Sequence, residues 1–125
     1  MAYSKNTPAG QAVEGIITDL PGLMAVAVVD VSSGMALASH SNTPSINPET
    51  AAAYNTEVIK AKLKAVAALK LKQTVQDVLL TLTDQLHLIK LSANGQLFIY
   101  LAVNAKDTNL AQARQIMKAH SASLN

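Results

Sequence analysis

The histidines are the first residues in this chain that could do acid-base or metal chemistry. His40, His87 and His120 are far apart in the sequence, and none has a second histidine or a carboxylate at the spacing of metal ligands. The chain contains no cysteine, so it has neither a thiolate ligand nor a cysteine nucleophile. We therefore predict no metal site, and each histidine is interpreted as a surface or strand-end residue.

The serines and glycines offer little more. Asp30 with Ser32 and Ser33 could form half of a hydrolytic site, but a turn between two strands explains the same three residues more simply. The five glycines are isolated, so neither a phosphate-binding loop nor a dinucleotide motif is present. No serine has the surroundings of a nucleophile elbow. The sequence thus predicts no catalytic residues, no cofactor and no enzymatic activity.

The lysines are the remaining charged cluster. They concentrate in one segment, at Lys60, Lys62, Lys64, Lys70 and Lys72. A solvated helix face explains them, and a patch for an acidic partner surface is the alternative. Nucleic acid is not an expected partner, because the segment lacks arginine and interleaved aromatic residues.

The overall composition indicates one globular domain. Of 125 residues, 50% are hydrophobic and 14% are charged, and the net charge is +2. We expect a single domain over residues 1–125, with a core from about 8 to 120. No apolar run approaches the roughly 20 residues of a membrane span, and the first ten residues do not resemble a secretory signal. The expected location is the cytoplasm, without a membrane partner.

Start and stop signals divide the chain into a helix, two strands, a long helix, three strands and a last helix. Asn47, Pro48 and Glu49 are typical of a helix start, and neither Gly nor Pro follows until about Lys72. Asn94-Gly95 predicts a type I′ hairpin turn. The other predictions are a first helix from Thr7 to Leu20, the strands Met24–Asp30, Met35–His40, Val75–Thr83, Leu86–Ala93 and Gln96–Val103, a helix starting near Asp107–Asn109, and a fraying tail, Ser121–Asn125.

The long second helix has two apolar stripes instead of one. Its polar back consists of Glu57, Lys60 and Lys64. A helix that packs on a single core usually has one apolar stripe, so the second stripe indicates another contact. Which stripe faces the sheet is left open at this point. The first, here called the Tyr54 stripe, is Tyr54, Val58, Ala61, Ala65 and Leu69; the second, the Ile59 stripe, is Ile59, Leu63 and Val66.

Three segments together resemble the roadblock family, the dynein-light-chain-type domain that also occurs in bacterial regulators of small GTPases. Leu20–Asp30 (LPGLMAVAVVD) is similar to the family's helix, Pro-Gly and strand ending in Asp. Gly34–Ser39 (GMALAS) is similar to its second strand, and Asn109–Arg114 (NLAQAR) to the start of its last helix. The resemblance covers about Val13 to His120.

The resemblance implies an α+β fold and a dimer. The fold would be a profilin-like sandwich with a five-stranded antiparallel sheet of order 2-1-5-4-3, one long helix on one face and two terminal helices on the other. In the family, the second helices pack together and the third strands pair edge to edge. We accordingly expect a dimer interface made of Val58, Ile59, Leu63, Val66, Val78, Leu80 and Leu82.

The function that the resemblance implies is a non-enzymatic interaction or scaffold module that regulates or binds a Ras-like small GTPase. Glu57, Lys60 and Lys64 are the candidate partner-binding residues, because no apolar residue shares their side of the helix. A homodimer is expected, and a heterodimer stays open. The alternative function is a ligand-binding or signalling sensor module of the profilin-like type that works with a sensor kinase; an enzyme ranks third.

Overall fold

The computed structural model describes residues 2–124. In these residues, three α-helices and five β-strands follow one another in the order expected from the sequence, and a short 3₁₀ helix comes after them. Their bounds are α1 Pro8–Asp19, β1 Leu23–Asp30, β2 Ala36–Ser41, α2 Pro48–Ala68, β3 Val78–Thr81, β4 Gln85–Leu91, β5 Leu97–Asn104, α3 Leu110–Ser121 and the 3₁₀ helix Ala122–Leu124.

The five strands form one antiparallel sheet of order β2-β1-β5-β4-β3. The strands β1 and β5 lie near its centre and are apolar along almost their whole length, as expected of strands covered on both faces. Cross-strand pairs such as Val28 with Ile99 set their register. The predicted α+β class and strand order 2-1-5-4-3 are confirmed.

The two faces of the sheet are covered differently. The helices α1 and α3 lie on one face, where Ile16 and Met117 are buried against strand residues such as Leu101. The helix α2 lies on the other face, where Ile59 packs with Phe98 and Tyr100. This confirms one long helix on one face and two terminal helices on the other. The helix α2 packs mainly on β1 and β2, so it covers only part of its face.

The helix starts agree with the sequence signals. The Thr7 hydroxyl accepts from the Gly10 N–H at 3.0 Å, and Asn47 Oδ1 accepts from the Thr50 N–H at 3.0 Å. The third helix begins in the same way, with Asn109 as its cap. A side-chain acceptor at this position pairs one of the backbone donors that a helix leaves free at its first turn.

The second helix and the third strand are the predicted segments whose lengths differ most from the structure. The second helix ends at Ala68 instead of Lys72, because Lys70 adopts a left-handed conformation with φ of 55°. Its N–H donates to Ala67 O and the Leu71 N–H donates to Val66 O, the hydrogen-bond pattern that closes a helix. The third strand is Val78–Thr81 instead of Val75–Thr83, since the residues just before it find no strand partner.

The predicted turn and tail are also wrong in detail. Of the two turn residues, Gly95 has a positive φ, 74°, and Asn94 does not, whereas a type I′ turn requires a positive φ at both. The connection is a longer loop in which Asn94 Oδ1 accepts from the Gln96 N–H. The predicted fraying does not occur at Leu124, because that residue is 8% exposed and packs in the core with α1 and α3. Asn125 lies outside the described residues.

Candidate interaction surface

The residues that could have done chemistry are placed apart from one another. His40 Nε2 lies 2.7 Å from Asn42 Oδ1 in the β2 region, and His120 Nε2 lies 2.8 Å from Asp19 Oδ2 between α3 and α1. His87 is on β4. Within residues 2–124, no group of three or more His, Asp or Glu side chains is arranged to hold a metal ion. In the same range, no helix combines the length and the apolar character that crossing a membrane requires.

Asp30, Ser32 and Ser33 form a turn, as the simpler interpretation predicted. The Asp30 carboxylate accepts from the Ser33 hydroxyl at 2.6 Å, from the Ser32 hydroxyl at 2.8 Å and from the Ser33 N–H at 3.2 Å. These hydrogen bonds, chiefly those from the Ser33 and Ser32 hydroxyls, lower the pKa of Asp30. The carboxylate therefore closes the β1–β2 connection, and both hydroxyls donate to it.

The structure settles which apolar stripe of α2 faces the sheet. Ile59 is 0% exposed and Leu63 is half-buried against the same core, together with Ala52. The Tyr54 stripe lies on the outside of the helix, where Tyr54 is 73% exposed and Leu69 is 69% exposed. Exposed apolar side chains that cluster on one surface are candidates for an interaction site.

The placement of Ile59 corrects one predicted interface residue. A side chain with no exposed surface cannot contact a second copy of the chain, so Ile59 belongs to the core and not to an interface. The periodicity of α2 could not separate the two stripes, because both repeat at the spacing of a helix. Val58 is 41% exposed, whereas Leu63 and Val66 are half-buried at the edge of the helix contact.

The strand β3 forms one edge of the sheet, and its outer side is unpaired in the described part of the chain. The Leu82 N–H donates to Gln85 O, so these two residues form a hydrogen-bonded pair. The next hydrogen-bonded pairs, two residues further along each strand, are Leu80 with His87 and then Val78 with Ile89. Hydrogen-bonded pairs alternate with non-bonded pairs in an antiparallel ladder. The backbone groups of Leu79 and Thr81 therefore point away from β4, toward the open edge.

The strand β2 forms the opposite edge, and it is obstructed. The Ser39 N–H donates to Ala2 O at 2.9 Å and the Ala2 N–H donates to Ser39 O at 3.3 Å, so a stretch of chain already pairs there. The register of β1 with β2 also shifts between Val28 and Val29, which leaves Leu37 as an extra residue on β2. A bulge of this kind makes an edge a poor template for another strand.

A groove lies between α2 and the open half of the sheet, next to β3. Its volume is about 300 Å³. Its floor comes from β3 and β4 and its wall from α2, because α2 packs mainly on β1 and β2 and leaves this part of the sheet uncovered. The lining residues are Asn55, Val58, Lys62, Val78, Leu79, Leu80, His87 and Ile89.

His87 is the histidine of this groove, and Lys62 is its other titratable residue. His87 Nε2 lies 2.8 Å from Gln85 Oε1, its Nδ1 lies 3.1 Å from the Tyr100 hydroxyl, and the two rings meet edge-on. Desolvation lowers the pKa of His87 and raises the pKa of Tyr100 to about 12. The sequence predicts a strand at His87 but contains no signal that this strand borders a groove.

The predicted partner-binding residues share one exposed side of α2. Glu57, Lys60 and Lys64 are all exposed, and their helical positions place them beside the Tyr54 stripe, away from the sheet. The structure therefore places these charges next to the exposed apolar surface, where they would border any partner that covers the stripe.

The ion pair between Arg114 and Asp77 is not predicted by the sequence. Arg114 Nε donates to Asp77 Oδ2 at 3.0 Å, and an Arg114 terminal amino group donates to Asp77 Oδ1 at 3.1 Å. Asp77 directly precedes β3, and its carboxylate is held by Arg114 of α3. A separation of 37 residues offered no local signal for this pair.

The fold defined by this sheet and its helices is that of roadblock-type domains, and the comparison with solved structures confirms the resemblance. A Roadblock/LC7 domain from Streptomyces avermitilis superposes with a TM-score of 0.78 at 14% identity, covering 91% of this chain and 92% of that chain. No protein-family model matches the sequence, and no curated protein matches it.

Among the individual proteins with this fold, MglB is similar over nearly the whole length. MglB of Myxococcus xanthus has a TM-score of 0.82 at 14% identity, covering 99% of this chain and 90% of that chain. An MglB structure with a tetrameric arrangement has a TM-score of 0.79 at 18% identity, covering 98% of this chain and 91% of that chain.

Proposed function

We propose that this chain is a homodimeric, non-enzymatic interaction module of the cytoplasm that binds and regulates a Ras-like small GTPase. One observation carries the dimer: the exposed Tyr54 stripe and the unpaired edge of β3 lie on either side of the same groove. A second copy related by a two-fold axis would cover both features at once. The MglB structure with a tetrameric arrangement supports self-association of this fold.

The apolar residues at this surface have enough exposed area to drive association. Leu80 is 52% exposed and Leu82 is 42% exposed, beside Val58 and Tyr54 on the helix. Full burial of such a side chain contributes about 1.5–3 kcal/mol before the entropy of association is deducted. The proposed interface keeps the predicted residues other than Ile59, namely Val58, Leu63, Val66, Val78, Leu80 and Leu82, and gains Tyr54 and Leu69.

The hydrogen-bond pattern of β3 restricts how two copies pair. Leu79 and Thr81 have outward backbone groups, so these residues must make the hydrogen bonds to the second strand. Pairing Leu79 with Thr81 of the partner subunit places Leu80 on the two-fold axis, opposite its own copy. This register also brings Leu82 against Val78 of the partner subunit, which buries the apolar face of the strand.

Cysteine cross-linking tests the dimer and its register together, because the chain has no cysteine of its own. Residues that face each other in a non-hydrogen-bonded pair have Cα atoms about 4.5 Å apart, within the range of a disulfide. We expect Leu80→Cys to form a disulfide-linked dimer under mild oxidation. Val78→Cys and Leu82→Cys should each stay uncross-linked alone and should cross-link when the two variants are mixed.

Other outcomes would separate the parts of this proposal. Cross-linking between Val78→Cys and Leu80→Cys, without a Leu80→Cys dimer, would contradict the register and keep the edge pairing. Sedimentation that shows a monomer for the unmodified chain at micromolar concentration would contradict the dimer itself.

The GTPase partner is the second part of the proposal. The resemblance to the roadblock family supports it, and Glu57, Lys60 and Lys64 supply an exposed charged border next to the apolar stripe. Charges at the rim of an interface mainly set the association rate and its salt dependence. A regulator must also bind the two nucleotide states with different affinity, since equal affinity shifts no equilibrium.

Binding measurements with the GTPase in both nucleotide states test this part. We expect Lys60→Glu with Lys64→Glu to slow association and flatten its salt dependence. The matched control is Lys106→Glu with Lys118→Glu, which changes the charge equally at exposed positions away from α2. Unchanged kinetics in the first pair would mean that the lysines only face solvent. Equal affinity for the GDP and GTP forms would leave a scaffold instead of a regulator.

A further inference from the structure

His87 lies at the centre of the surface that the proposed dimer would cover. It is the cross-strand partner of Leu80, the residue placed on the two-fold axis, and both side chains line the groove. The His87 side chain is only partly buried in the single chain, so water still reaches the imidazole. A second copy paired at β3 would remove most of that water, because its own Leu80 side chain would lie across the axis next to the groove.

The hydrogen-bond partners of His87 favour a neutral ring. Gln85 Oε1 can only accept, so His87 Nε2 carries the proton and donates to it. In the neutral ring with its proton on Nε2, Nδ1 can accept from the hydroxyl of Tyr100, a residue that is 1% exposed. A proton on Nδ1 would leave that hydroxyl without an acceptor in a buried position, which costs free energy.

The groups around His87 also oppose a positive charge. From α2 the groove receives Lys62, a cation, and Asn55. The strand β3 contributes the apolar side chains of Val78 and Leu80, β4 contributes Gln85 and Ile89, and β5 contributes the Tyr100 hydroxyl. The groove residues in the described part of the chain include no carboxylate, so a protonated His87 would have no counter-ion when covered.

We propose that protonation of His87 weakens self-association, so that the chain assembles at neutral pH and separates in mildly acidic solution. This inference rests on the proposed dimer. The geometry supplies the reason: covering the groove removes water from an imidazole that has a neutral hydrogen-bond network and a lysine as its charged neighbour.

The direction of the pH dependence follows from linkage. Burial already lowers the pKa of His87 in the single chain, and covering the groove lowers it further. Self-association therefore releases protons at acidic pH. The Kd stays constant above the pKa of His87 in the single chain and rises as the pH falls through it, by up to about 100-fold per pH unit for two histidines per dimer.

Sedimentation equilibrium of the full chain between pH 7.5 and pH 5 tests the proposal. We expect the Kd to rise as the pH falls, and His87→Gln to remove most of that dependence, because an amide can donate to Gln85 and accept from Tyr100 without titrating. His40→Gln, at the opposite edge of the sheet, is the matched control and should keep the dependence of the unmodified chain.

Several results would overturn the proposal. A dimer with the same Kd at all pH values contradicts the role of His87 but not the proposed dimer. A monomer at every pH contradicts the proposed dimer and, with it, the role of His87. A pH dependence that survives His87→Gln assigns it to another group. If His87→Gln does not fold, NMR titration of the unmodified chain decides: the pKa of His87 must be lower at high than at low protein concentration.

Discussion

The two edges of the sheet expose leucines to the same extent but differ in their backbone. Leu37 on β2 is 53% exposed and Leu80 on β3 is 52% exposed. On β2 a bulge and the pairing of Ala2 with Ser39 obstruct the edge, while the outer side of β3 is regular and unpaired across residues 2–124. Exposure of an apolar side chain therefore does not by itself distinguish the two edges; the free and regular backbone beside Leu80 does, and it favours β3 as the proposed interface.

The two ends of the sheet also differ in how the helices cover them. At the β2 end, α1 and α2 pack on opposite faces, so both sides of that edge are occupied. At the β3 end, α3 covers one face, and the groove next to α2 stays open on the other. An unprotected edge with an apolar face is prone to pair with another chain. The structure concentrates these features at a single end of the sheet.

The largest expected effect comes from a charge at the open edge. We predict that Leu80→Asp raises the Kd of self-association at least about 100-fold, since two carboxylates would meet at the axis in place of two apolar side chains. Sedimentation velocity at micromolar concentration measures the change, and circular dichroism verifies that the variant folds.

The matched control is the same substitution at the obstructed edge. Leu37→Asp removes an equally exposed leucine and should leave the Kd within a few-fold of the unmodified chain. If Leu37→Asp dissociates the dimer and Leu80→Asp does not, the two edges have been assigned in reverse.

The next effect concerns the ion pair that holds the start of β3. Arg114→Met leaves the Asp77 carboxylate, whose side chain is only 19% exposed, without its bidentate partner. We expect the free energy of unfolding to fall by about 2 kcal/mol, because hydrogen bonds to charged groups contribute more than neutral ones. Urea denaturation measures the loss. Self-association should weaken as well, since the strand that pairs is no longer anchored.

Two further variants show whether the pair itself is responsible. Asp77→Asn alone should also destabilise the fold, and combining it with Arg114→Met should add little further loss. Fully additive losses would mean that the two residues act separately and that α3 does not position β3.

The smallest effect concerns the end of α2, which leads toward the same edge. Lys70 has a φ of 55°, a conformation that disfavours a side chain. Lys70→Gly should raise the free energy of unfolding by about 0.5–1 kcal/mol, after the entropy of the unfolded glycine is deducted. Lys72→Gly is the control and should give no gain, because Lys72 does not have a positive φ. If both substitutions change the free energy of unfolding equally, relief of backbone strain at Lys70 is not the cause of the gain.

The sequence predicted those parts of the fold that depend on near neighbours. Thr7, Asn47 and Asn109 cap their helices by accepting hydrogen bonds from residues three positions ahead, so short-range patterns suffice to locate them. The predicted order of helices and strands was correct for the same reason. The ends of segments were less accurate, as Lys70 and the shortened β3 show.

The candidate surface was predicted only in part. The presence of two stripes on α2 correctly indicated an additional exposed apolar surface, which is the Tyr54 stripe, but the predicted dimer interface included Ile59, whose side chain is buried. Both stripes repeat with helical spacing, and only the position of the helix on the sheet distinguishes them. Leu124 is a similar case: its burial depends on α1, which is distant in the sequence.

The sequence by itself determined which segments become helices and strands, because caps, turns and apolar periodicity act over a few residues. The tertiary structure decided which stripe of α2 meets the sheet and which edge stays open. Those outcomes depend on contacts such as Ala2 with Ser39 and Asp77 with Arg114, which join residues 37 positions apart in both cases. No local pattern encodes such contacts, because they form only when the sheet brings distant segments together.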